Sequence, residues 1–210
     1  VNNVNFADIQ CTSGSTNGGG MNLGPIGGVA SFSNMRFDNI NMTGSGTKGS
    51  GLYISSAARQ ITFTNVNFTN IRGTLGSALY IGTIGGVSSF NDMLFENVSS
   101  SSNSAVYIGI AADTTFDNVN FTNVRSASTS ASSKGGAILI NGGVNAFNFV
   151  NSNILNSSAA ASGSAIYIET ANGVTIKNST IENYSSSASN GVMSGSGGVI
   201  YVGSNTGITS

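Results

Sequence analysis

The chain contains no histidine, no tryptophan, one proline and one cysteine among its 210 residues. Without histidine, a Ser-His nucleophilic triad is excluded. Cys11 alone provides neither an intrachain disulfide frame nor a cysteine metal cluster, so no metal or cofactor is expected. Charge is equally scarce: 7 Lys and Arg against 8 Asp and Glu give a net charge of -1. That surface lacks the electrostatic footprint for nucleic acid or an anionic membrane. No apolar run reaches the length of a membrane-spanning helix. No charged stretch followed by an apolar one opens the chain, and it does not begin with Met, so it reads as a mature or excised segment of something longer.

What the chain does have is a repeat. Phe116-Asp-Asn-Val-Asn-Phe-Thr-Asn123 recurs as Phe63-Thr-Asn-Val-Asn-Phe-Thr-Asn70. Looser copies begin at Val1, Phe32, Phe90, Phe149 and Ile176. The seven copies start 31, 31, 27, 26, 33 and 27 residues apart, a period that marks a solenoid. A second motif follows each block, as in Gly76-Ser-Ala-Leu-Tyr-Ile81, Gly135-Gly-Ala-Ile-Leu-Ile140 and Gly163-Ser-Ala-Ile-Tyr-Ile168. Gly followed by β-branched and aromatic residues signals a strand. Length varies mainly between block and Gly motif, where one loose corner protrudes. The expected fold is therefore all-β: one single-stranded parallel β-helix over residues 1–210, about seven coils of three short strands.

If each repeat is one coil, equivalent residues stack roughly 4.8 Å apart, making a rod on the order of 35 Å long. Phe6, Phe37, Phe68, Phe95, Phe121, Ile154 and Ile181 form an inward column. Asn3, Asn34, Asn65, Asp92, Asn118, Asn151 and Asn178 form a column at a bend, because Asn tolerates left-handed backbone. Asp8, Asn39, Asn70, Asn97, Asn123, Asn156 and Asn183 form another. Stacked amides bonding along the axis give these residues a structural role.

Gly135-Gly-Ala-Ile138, with the recurring Phe-x-Asn, resembles the repeats of polymorphic outer membrane proteins, which pair Gly-Gly-Ala-apolar with Phe-x-x-Asn. The likeness covers all seven coils, with the Phe-to-Asn spacing one residue shorter here and one copy strictly Gly-Gly-Ala. The resemblance implies a right-handed parallel β-helix similar to the pectate-lyase class, and a secreted or surface-displayed passenger. The chirality of parallel crossovers implies the same hand.

Many β-helices degrade polysaccharides, which needs clustered carboxylates. Asp38, Glu96 and Glu182 share an outward column but are interrupted by Thr69, Thr122 and Leu155. Asp38 and Glu96, two coils apart, sit about 9–10 Å from each other on a flat face, just within reach of an inverting pair. The expectation is that the protein is not an enzyme. Seven Asn-x-Ser/Thr sequons occur, at Asn41, Asn67, Asn97, Asn120, Asn156, Asn178 and Asn183. Four lie at ladder positions and are expected to be unavailable, leaving Asn41, Asn67 and Asn120 as exposed candidates for glycan attachment. Alternation along the Gly strand puts Tyr53, Tyr80, Tyr107, Tyr167 and Tyr201 outward, interrupted by Asn22 and Leu139. That column could contact sugars, another rod, or only its own neighbours. Outward threonines lack the regular two-column array that ice binding would need.

The expected role is structural or adhesive, at the cell surface or outside the cell, as a building block of a β-solenoid filament. A carbohydrate-binding passenger is the alternative. The expected partners are copies of the chain end to end, covalent or stacked, and surface glycans. Joining Gly207-Ile-Thr-Ser210 to Val1-Asn-Asn-Val-Asn-Phe6 keeps the repeat in phase, since the wrapped distance from Val202 to Leu23 is 31 residues, equal to that from Leu23 to Ile54.

Overall fold

A computed structural model describes residues 1–12, 16–128, 133–159, 162–186 and 198–205. Among these there is no helix. The strands are β1 (Asn2–Cys11), β2 (Met21–Ile26), β3 (Ala30–Met42), β4 (Leu52–Ala57), β5 (Ile61–Gly73), β6 (Leu79–Thr83), β7 (Ser88–Ser100) and β8 (Val106–Ile110). They continue as β9 (Thr114–Ser126), β10 (Ile138–Val150), β11 (Asn153–Ala159), β12 (Ile166–Lys177), β13 (Thr180–Glu182), β14 (Ser185–Ser186) and β15 (Ile200–Asn205). Every named pairing is parallel and joins strands of adjacent coils. The result is a β-solenoid of about six turns, close to the seven coils counted in the sequence. Residues 187–197 and 206–210, which carry part of the last loose corner and the segment used in the end-joining comparison, lie outside the described residues.

Each regular coil combines a 13-residue strand with a shorter one of five or six residues. The long strand is not straight. In β5 the inward residues are Ile61, Phe63, Val66, Phe68, Ile71 and Gly73, so the step between them alternates between two and three residues. A step of three occurs wherever an asparagine turns the corner. Residues Asn65 and Asn70 have φ of 53° and 56°. The left-handed region reverses the local path and adds one outward residue, after which the ordinary alternation resumes. The three strand segments expected per coil are thus mostly one strand bent twice, and the Gly strand supplies a further face.

Among the described residues, the fourteen non-glycine residues with positive φ are the fourteen Asn and Asp of the two expected columns, with φ between 49° and 57°. A side chain with a Cβ pays about 1–2 kcal/mol for this conformation, and Asn and Asp visit it more readily than other residues. Glycine does the same work at the start of the short strands. Gly49 has φ +55°, and a Cβ there would lie 2.3 Å from the Leu52 carbonyl oxygen.

The core fills the space between the two walls. One inward column stacks Phe32, Phe63, Phe90 and Phe116, with centroids 4.9, 5.1 and 4.4 Å apart. A second runs Phe6, Phe37, Phe68, Phe95 and Phe121 at 4.9, 4.7, 5.1 and 4.6 Å. The spacing is the coil spacing, so each ring meets its neighbour nearly parallel. The regularity breaks where Phe147 pairs in register with Thr114, placing a ring where other coils have a smaller side chain. Phe116 then meets Phe147 at 46° rather than flat. The same coil has Ser152 and Ser157 where its neighbour has Val119 and Val124, so volume lost in one column accompanies volume gained in another.

Asn65→Ala is expected to destabilise the protein by about 2–3 kcal/mol, combining the left-handed backbone with one lost hydrogen bond. Asn65→Gly keeps the backbone and should cost about 1 kcal/mol. Urea denaturation of the two variants measures the difference; equal losses would contradict the backbone assignment.

Candidate functional site

The two corners carry ladders of side-chain amides, and the ladders have a direction. Asn65 Nδ2 donates to Asn34 Oδ1 at 3.0 Å, and Asn178 Nδ2 to Asn151 Oδ1 at 3.3 Å. At the second corner Asn39 donates to Asp8 at 2.7 Å, Asn97 to Asn70 at 3.3 Å, Asn123 to Asn97 at 3.1 Å and Asn156 to Asn123 at 3.0 Å. In each bond the later coil donates to the earlier one. Three rungs step sideways: Asn34 donates to Asn2, Asn70 to Asp38 and Asn151 to Asp117. In the last two a carboxylate beside the corner replaces a neutral amide as acceptor, consistent with the greater strength of charge-assisted bonds. Asp92 accepts from Asn118 at 2.7 Å but has no N–H to pass to Asn65, so an aspartate interrupts its ladder on one side.

Register places Asp38, Thr69 and Glu96 in successive coils of one outward column, as expected. Asp38 is fully engaged. It accepts from the Thr69 hydroxyl and the Asn70 amide, and its other oxygen pairs with Arg36 at 2.8 Å. The Thr69 hydrogen bond is the main cause holding its carboxyl below the usual carboxylate value; burial opposes it, and Asn70 and Arg36 add further lowering. Such a group stays ionised, and is poorly placed to serve as the protonated acid of a glycosidase pair.

The tyrosine column forms but is not the open contact face that alternation implies. Tyr53 stacks on Tyr80 at 5.2 Å and Tyr80 on Tyr107 at 4.6 Å, and beyond Leu139 Tyr167 stacks on Tyr201 at 4.8 Å. Tyr80 is 8% exposed and Tyr167 4%. The rings cover one another, and lysines lie over two of them: Lys48 Nζ is 5.2 Å from the Tyr80 centroid and Lys134 Nζ 4.4 Å from that of Tyr167. Lys134 also reaches Glu169 at 3.1 Å, and the Tyr167 hydroxyl donates to the same carboxylate oxygen at 2.6 Å. Burial pushes the phenols of Tyr80 and Tyr107 upward. Tyr53, Tyr107 and Tyr201 remain half-buried.

The sequons are also corrected. Asn41, Asn67 and Asn120, expected to be exposed, are half-buried on flat strand faces, where the coils above and below flank them. Asn153 Nδ2 donates to Asn120 Oδ1 at 2.8 Å. The corner residues Asn97, Asn156, Asn178 and Asn183 are the exposed ones, because a convex corner splays its side chains. Exposure is not freedom: the Nδ2 groups of Asn97, Asn156 and Asn178 are committed to the ladders.

Beside the second corner runs a polar groove lined by Asn97, Val98, Ser99, Asn123, Arg125, Asn156 and Ser158. Sequence reasoning passed over its arginine. The register that makes Arg125 a column-mate of Ser99 was readable from the repeat offsets, since Arg72, Ser99 and Arg125 follow the same phase. Among the described residues no group of three or more His, Cys, Asp or Glu could hold a metal ion. Comparison with protein-family models, with curated proteins and with solved structures finds no match to this chain.

The Asp38 environment has a testable pH signature. A carboxyl whose folded-state pKa is lowered contributes stability above its unfolded pKa, and that contribution disappears as pH falls through the folded value. Thr69→Val should therefore cost up to about 1 kcal/mol near neutral pH. Variant and wild type should converge in acid, as measured by urea midpoints at several pH values. A difference independent of pH would contradict this assignment.

Proposed function

We propose that this protein is a structural, adhesive element displayed outside the cell, in which the solenoid is the working part and chemistry is not. The observation that carries the reading is the axial continuity of its wall. Two corner columns, two phenylalanine columns and every named strand pairing run along one axis in the same direction. The outermost strands, β1 at one end and β15 at the other, each pair with one strand among the described residues. A parallel edge of this kind accepts a further coil, from the same chain or from another copy. The resemblance to polymorphic outer membrane protein repeats supports display as a passenger and a right-handed β-helix of the pectate-lyase type.

A non-catalytic role is favoured by how the acids are used. Asp38 is held by three partners, and Glu169 by Lys134 and Tyr167. Carbohydrate binding is the second reading, now supported by the groove along the second corner rather than by the tyrosines.

Native source material should contain the chain in an axial assembly. Denaturing electrophoresis separates the two forms: a covalent array stays far above 21.1 kDa, and stacked chains collapse to it. Electron micrographs of the source without filaments, together with monodisperse monomers of the isolated chain, would overturn the proposal.

A further inference from the structure

Arg125 lines the groove beside the second corner, and Arg72 stands two coils earlier in the same column. Arg36 pairs with Asp38, Lys134 with Glu169, and Lys48 lies over Tyr80. Arg72 and Arg125 are both exposed and have no acidic partner among the described residues. They occupy one outward column, Asn41, Arg72, Ser99, Arg125 and Ser158, in successive coils. Arg125 Nε donates to the Ser99 hydroxyl at 3.3 Å, and the residue is exposed. Arg72 and Arg125 are two coils apart, about 9–10 Å along the axis. The acids Asp38 and Glu96 belong to a column on the other side of the asparagine corner, and neither pairs with these arginines.

We infer that this stripe binds a linear acidic polysaccharide lying along the solenoid axis, with a carboxylate on every second sugar. An arginine fork donates to a carboxylate in bidentate geometry. Between the forks, Ser99 and the exposed amides of Asn97 and Asn123 line the groove with donors and acceptors. Each ladder amide uses one N–H toward the earlier coil, and its second N–H remains for a sugar hydroxyl. A two-coil interval between cations suits alternating charge. It does not match the phosphates of a DNA duplex, which recur at about 3.4 Å per strand along the helix axis. The inference rests on the adhesive side of the proposed role and is independent of axial assembly.

The test uses the full chain and two probes: a polysaccharide of alternating uronic acid and N-acetylhexosamine, and its carboxyl-reduced derivative. At low ionic strength the chain should bind the first and not the second. R72Q and R125Q should each weaken binding about fivefold, in line with solvent-exposed ion pairs. R36Q, which removes a cation from a different face, should leave binding unchanged. R72Q removes no hydrogen bond within the fold, so it carries the test even if R125Q fails to fold. No binding of the acidic polymer, equal binding of the reduced one, or an equal loss in R36Q would each overturn the inference. A chain that forms filaments yet fails this test would leave the structural role intact.

Discussion

The structure depends on left-handed backbone at two corners of every coil. A parallel strand can return to the same axial column only if the chain turns sharply, and a sharp turn needs φ near +50° at a residue that still has something to bond. Asparagine meets both needs, and fourteen Asn or Asp residues occupy these positions. Its amide then bonds the neighbouring coil, so each turn helps to fix the register of the next. Glycine would relieve the backbone but leave the corner without a rung. The phenylalanine columns follow from that register: rings stack at about one coil spacing because the corners return them to the same place.

Directionality is the less obvious consequence. Each ladder amide donates toward the earlier coil, so the wall is polar along its axis in side chains as well as in backbone. Aspartate is the exception that explains itself. Asp8 and Asp92 accept from the following coil and have no proton to give to the preceding one. The ladder is therefore a series of short segments, and continuity across the Asp92 rung rests on backbone pairing and stacked rings.

Much of this was legible in the sequence because the repeat fixes positions twice, once by hydrophobic period and once by asparagine. The column of Phe6, Phe37, Phe68, Phe95, Phe121, Ile154 and Ile181 is found in register as read. What failed was exposure. Alternation says that Tyr80 and Asn67 point away from the core, which is true, yet a neighbour in each adjacent coil shields such side chains. Tyr80 ends 8% exposed beneath Lys48, while corner residues such as Asn97 stand out in solvent. Pointing outward and being accessible are different properties in a stacked wall. The arginine stripe was missed because it appears only after residues are assigned to columns across coils of unequal length.

The central claim is that hydrogen-bonded asparagine corners hold the coils in register, and side-chain amide hydrogen exchange followed by NMR tests it directly. The Nδ2 groups of Asn65, Asn97, Asn123 and Asn156 should each show one proton exchanging markedly more slowly than that of a free amide, although these residues are solvent-exposed. Exchange of all four at the rate of an unstructured asparagine would contradict the account.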